Sequence, residues 1–183
     1  MKTKTPILCC ALFAASLCVP AMAADTTTTS TRANTMTSAA STLKRGDQNF
    51  LEKAAMNGMK EVTVSQAALP NLQNAQVRAF AEQMVNDHTQ GNSELMALAA
   101  RKGVTLADRN NKELKLDDKW SKADDDLDED YIETMVSDHK KAVELHEEAA
   151  KSTDADIAAH ATKMLPKLRA HLEQAQQLEK LVD

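Results

Sequence analysis

"YIETMVSDHKKAV", from Tyr131 to Val143, lies over "FLEKAAMNGMKEV", from Phe50 to Val62, when the chain is slid along itself. Phe50 then meets Tyr131, Leu51 meets Ile132, Glu52 meets Glu133 and Val62 meets Val143. A second overlay sets "RAFAEQMV" from Arg78 on "AAHATKML" from Ala158, so that Ala81 meets Ala161 and Met84 meets Met164. In these windows apolar residues recur every three or four positions, the period of a helix with one buried face. Two helices repeated in the same order read as a duplicated helical hairpin.

Only four glycines and four prolines punctuate the 183 residues. Ala, Leu, Glu, Gln, Lys and Met fill the intervals, and no segment alternates apolar and polar residues for long, so the domain is expected to be all-α. The first helix is expected over about Asp47–Leu69, stopped by Pro70, and the second over about Gln73–Lys102, stopped by Gly103. The third begins near Asp128, read as its N-cap, and ends near Ser152. The fourth begins at Thr153 or Asp154 and runs almost to the C-terminus with Pro166 inside it.

The connector from Gly103 to Leu127 is long, because adjacent antiparallel helices need only about 2 to 8 residues between them. A second helix of roughly 30 residues is about 45 Å long, and a chain extending about 3.3 Å per residue can return along it. The expected fold is therefore a ferritin-like four-helix bundle, built from a duplicated hairpin with a long crossover between helices two and three. In that arrangement helices two and three run parallel.

The N-terminal "MKTKTPILCCALFAASLCVPAMA" carries Lys2 and Lys4, an apolar run from Ile7 to Val19, and small residues at Ala21 and Ala23. This is the layout of a secretory signal, too short to span a bilayer. The expectation is a signal over residues 1–23, a flexible Ser/Thr-rich linker over 24–42, and a helical domain over 43–183. Cys9, Cys10 and Cys18 all fall in the signal, preceded by Leu8, Cys9 and Leu17 where a lipoprotein signal needs a small residue. The mature chain is thus expected in the periplasm, without a lipid anchor, a transmembrane span or a cysteine.

Losing Lys2 and Lys4 moves the formal charge from −5 to −7. That balance, with a single Trp120 and a single Tyr131, argues against nucleic acid as a partner. The acidic run from Asp124 to Asp130 lacks the glycine and spaced ligands of a calcium loop and reads as solvated charge. No serine sits in a nucleophile elbow, and no catalytic residue is assigned.

Five histidines remain, two of them in the related pentapeptides "MVNDH" (Met84–His88) and "MVSDH" (Met135–His139). Walking the buried stripe of the third helix in steps of four and three gives Ile132, Val136, His139, Val143, His146 and Ala150. The second helix gives Val77, Ala81, Met84, His88, Gly91 and Leu95, and the fourth gives Met164, Leu168, His171, Ala175 and Leu178. The first gives Phe50, Ala54, Gly58, Glu61, Ser65 and Ala68. Each helix thus brings an ionisable residue to its buried face, Glu61, His88, His139 and His171 in turn, and the third also carries His146. In the overlay Gly58 falls opposite His139 and Gly91 opposite His171, so a glycine in one half is a candidate for making room for a ring of the other.

At these residues the chain resembles the bacterial family known as domain of unknown function 4142, often labelled predicted outer-membrane proteins and grouped with ferritin-like folds. The resemblance rests on Glu61, on "FAEQMVNDH" ending at His88, on "DYIETMVSDH" ending at His139 and on "LPKLRAHLE" around His171. It implies a ferritin-like bundle in the cell envelope and no particular activity. The chain departs from the family pattern at His146 and His160, where aromatics are expected, and it has no barrel-strand pattern.

Three functional readings remain open. A di-iron carboxylate centre needs Glu-x-x-His pairs, and the residues three before His88, His139 and His171 are Val85, Val136 and Leu168, which argues against it. A His-rich site holding zinc or copper fits Glu61, His88, His139 and His171 as ligands, with Met84 and Met135 as soft ligands and Asp87 and Asp138 behind the rings. The competing reading makes the histidines hydrogen-bonded core anchors and the methionines core filler. The leading expectation is an exported, non-catalytic bundle with a binding or envelope-maintenance role toward an unidentified envelope partner; the metal site is the alternative.

Overall fold

Why the chain stops and turns where it does is visible at each helix end. A computed structural model describes residues 43–106 and 116–182, so the expected signal, the linker and part of the crossover lie outside the described residues. Among the described residues there are four α-helices, α1 Arg45–Ala68, α2 Ala75–Arg101, α3 Leu127–Ala149 and α4 Ala155–Val182, with a short 3-10 turn at Asp118–Ser121 before α3. Asn74 caps α2 by accepting from the amides of Gln76 (2.8 Å) and Val77 (3.4 Å). Gly103, at φ 71°, ends it, and the amide of Val104 reaches back to the Ala99 carbonyl. Asp154 caps α4 through the amides of Asp156 and Ile157, and the helix then continues through Pro166.

Asp128 does something other than cap its own helix. α3 starts one residue earlier, behind Asp126, whose side chain makes no capping bond. The Asp128 carboxylate instead accepts from the amides of Gln73 (3.0 Å) and Asn74 (2.6 Å), just ahead of α2. These two bonds bring the starts of α2 and α3 to the same end of the bundle, so that the two helices run parallel. Asp128→Ala is expected to cost about 2 kcal/mol, the scale for hydrogen bonds to a charged group, read as a lower urea midpoint with an unchanged slope.

α1 packs on α2 and α3, and α4 packs on the same two, so α2 and α3 face each other across a diagonal. At the far end, Lys44 reaches Thr153 and Ser152 donates to Asp47, joining the start of α1 to the α3–α4 turn. The core is split in two. One apolar cluster holds Phe80, Met84, Tyr131, Ile132 and Met135, with Trp120 packed edge-on to Tyr131. The other holds Phe50, Leu51, Leu95, Leu98 and Ile157. Between them lies a polar layer of buried Glu61, His88, His139 and His171, one from each helix.

The buried stripe of α3 departs from the walk above beyond His139. Ala142 and Ala149 are buried, while Val143 and Ala150 are only half-buried. A period of 3.6 residues shifts by one position over this distance, and the smaller Ala142 occupies the place given to Val143. Among the described residues no strand occurs, and no helix is long and apolar enough to cross a membrane.

Candidate metal centre

Periodicity brings the four residues to the bundle axis; their hydrogen bonds decide which atoms face it. His139 donates its Nδ1–H to the carbonyl of Met135 one turn earlier, at 2.9 Å. In the neutral ring this leaves Nε2 bare. His171 is held from the opposite side: its Nε2–H donates to Asp87 Oδ2 at 2.8 Å, leaving Nδ1 bare. These two bare nitrogens stand 3.4 Å apart in the core. With both ring protons already committed outward, neither nitrogen has a hydrogen to offer the other.

Glu61 and His88 complete the group. Glu61 Oε2 lies 2.7 Å from His88 Nε2 and 3.9 Å from His139 Nε2. The first approach is short but lies off the axis of a hydrogen bond, so neither Glu61 oxygen nor His88 Nε2 has a hydrogen-bond partner. They are the buried side-chain polar atoms left unsatisfied among the described residues. Burying such atoms without partners is costly, more so for a carboxylate. The donor atoms of His88, His139 and His171 all fall within 4.8 Å of one another.

Electrostatics keep the His139 and His171 rings neutral and the acid ionised. Burial pushes His171 down to about 4, against the raising effect of Asp87. Burial likewise lowers His139, only partly opposed by Glu61. For Glu61 burial acts upward, yet His88, with His139 and His171 behind it, outweighs burial and holds the carboxyl below its usual range. Near neutral pH the layer therefore presents one carboxylate and the bare nitrogens of His139 and His171, the protonation state that a transition-metal ion requires of these ligands.

The two aspartates of the repeated pentapeptides have different neighbours. Asp87 orients His171 and also accepts from Lys167 of α4 at 2.7 Å, and these bonds hold it low despite its partial burial. That is the carboxylate–histidine arrangement commonly found behind metal ligands. Asp138 touches no ring; it pairs with Lys60 of α1 and more loosely with Lys141. Both aspartates therefore tie one hairpin to the other, and only Asp87 stands behind a ring of the polar layer. Met84 and Met135 are fully buried in the apolar cluster with Phe80, Tyr131 and Ile132. Neither lysine was singled out from the sequence, since pairing across helices depends on helix rotation, which composition does not carry.

The glycines serve neighbours other than the rings. A Cβ on Gly58 would sit 2.1 Å from Asn92 Oδ1, and one on Gly91 would sit 3.1 Å from Met164 Cε. Gly58 thus admits Asn92, and Gly91 admits Met164. His146 and His160 both meet Phe50 edge-on, at ring-centre distances of 5.1 and 6.4 Å.

A family model described as Domain of unknown function (DUF4142) matches residues 32–178, a span that includes all four candidate ligands. The chain belongs to this family. The fold of this DUF4142 chain is similar to the crystal structure of a DUF305 fragment from Deinococcus radiodurans. The TM-score is 0.63 over 76% of this chain and 96% of that one, at 11% sequence identity. At that identity the likeness shows the fold alone, a helical bundle. No curated protein matches the chain.

Proposed function

We propose that this protein is an exported metal-binding bundle that holds one ion of the zinc or copper(II) class with Glu61, His88, His139 and His171. The observation that carries the reading is the buried Glu61 carboxylate, free of hydrogen bonds, with His88 Nε2 at 2.7 Å and the bare Nε2 of His139 at 3.9 Å. A core-anchor role accounts for the outward bonds of His139 and His171. It leaves both Glu61 oxygens and His88 Nε2 without a hydrogen bond, although Glu61 and His88 lie in close contact, and buried polar atoms left so cost about 1–3 kcal/mol each. A divalent ion offsets that cost by ligating all of them.

Geometry supports the same ion class. Nitrogens bound to zinc at about 2.0–2.1 Å in a tetrahedron are about 3.3–3.4 Å apart, and His139 Nε2 and His171 Nδ1 are 3.4 Å apart. A set of three imidazoles and one carboxylate suits zinc or copper(II) over the softer copper(I), with the Met84 and Met135 thioethers left to the core. X-ray absorption on the loaded protein is expected to show nitrogen and oxygen neighbours only, and Met84→Leu and Met135→Leu are expected to bind as tightly as the parent. A sulfur neighbour would move the reading to a soft copper site.

The cellular role rests on the signal-like segment: delivery to the periplasm as a soluble, non-catalytic metal binder within the envelope. A mature N-terminus at Ala24 and release by osmotic shock are the expected results. A lipid-modified cysteine found by mass spectrometry would place the bundle on a membrane instead.

A further inference from the structure

The polar layer is not sealed on every side. A cavity of about 30 Å3 adjoins it, lined by Glu61 and His88 at one end and by His146 and His160 at the other, with Leu145 and Leu168 among its apolar walls. A water needs about 10–15 Å3 on this scale, so the space suits a ligand of two or three heavy atoms. Of the four candidate ligands only Glu61 and His88 line it, and these are the residues whose buried polar atoms lack hydrogen bonds.

The layer and the cavity are matched in chemistry. A closed tetrahedron around zinc would have edges near 3.4 Å throughout. Here Glu61 stands 2.7 Å from His88 and 3.9 Å from His139, and the three ring nitrogens lie within 4.8 Å of one another, an uneven set that suits an ion with a further position to fill. Across the cavity, His146 donates Nδ1–H to the Ala142 carbonyl at 2.8 Å. Its bare Nε2 is left to accept a hydrogen bond, and burial keeps the ring uncharged, its pKa near 4.

We propose that the bound ion keeps an exchangeable position on the Glu61/His88 side, and that the cavity there admits a small ligand, water at rest, which a short anion or amine of two or three heavy atoms can replace. This rests on the metal-binding reading. The site excludes ligands the size of an imidazole ring because Leu145 and Leu168 wall it, and His146 favours those that donate a hydrogen bond. It makes the bundle a binder of metal-plus-small-ligand and not only of metal.

Copper(II)-loaded protein titrated with azide tests this, followed by the ligand-to-metal absorption band. The expected result is a saturable band in the parent and no spectral change with imidazole. Ala142→Leu and, separately, Ala54→Leu fill the cavity from α3 and α1. Each is expected to retain one copper per chain while weakening azide by about tenfold or more, the scale on which groups around a metal site act. If either variant does not fold, the other carries the comparison, and the imidazole arm needs neither. Copper bound one per chain with no response to azide would overturn the open position while leaving the metal site standing. Equal azide affinity in a copper-loaded, cavity-filled variant would overturn the assignment to this cavity. Failure of the parent to bind copper or zinc at all would overturn the metal reading and this inference with it.

Discussion

Saturating the metal-free protein with zinc is expected to raise its melting temperature by on the order of 10 °C. An ion at about a thousand times its dissociation constant stabilises the folded state by about 4 kcal/mol. A domain of this size gains roughly 2–4 °C for each kcal/mol. The gain arises because folding brings Glu61, His88, His139 and His171 from four different helices to one point, which the unfolded chain does not do. His139→Ala is expected to lose the shift, and His160→Ala, whose ring is not among the donors, to keep it. A scanning-calorimetry series with and without zinc reads all three. An equal shift in His139→Ala would assign the ion to surface carboxylates.

The second large effect is acid lability of the metal-free state. His146 and His171 are both held near 4, well below the ordinary histidine value of 6.5, because the folded protein buries them. The unfolded chain binds their protons first as pH falls, so their contribution is complete above pH 6.5 and is lost as pH drops toward 4. Each shift corresponds to about 3 kcal/mol, and the two together rival a typical total stability of about 5–15 kcal/mol. Glu61, held below its ordinary 4.5 by the histidines despite its burial, adds to the loss in the same direction at lower pH. Urea midpoints between pH 7.5 and 4.5 are expected to fall steeply. His146→Phe, which keeps the edge-on packing against Phe50, is expected to remove a large part of that slope. A flat profile would contradict neutral burial of these rings.

Much of this was legible in the sequence for a specific reason. Helical periodicity fixes which residue of each turn faces inward, and the duplicated hairpin places related turns at related heights. The walk through His88, His139, His171 and Glu61 therefore named residues that stand together in the bundle. What periodicity does not carry is the rotation and stagger of one helix against another. That is why Asp138 turns to Lys60 while Asp87 holds His171, although both occupy the same place in their pentapeptides. It is also why Gly58 accommodates Asn92 and not a ring. Asp128 shows a third limit: an acid at a helix start looks like a cap for its own helix, and here the nearest unpaired amides belong to the segment before α2.

The central claim, that the polar layer is a metal site, is tested most directly by calorimetric titration of zinc into metal-stripped protein. One ion per chain is expected in the parent, with tight binding lost in the His88→Ala, His139→Ala double variant while far-ultraviolet circular dichroism confirms that the variant stays helical. Zinc binding in the parent no tighter than in that variant would contradict the claim and return both "MVxDH" histidines to the role of core anchors.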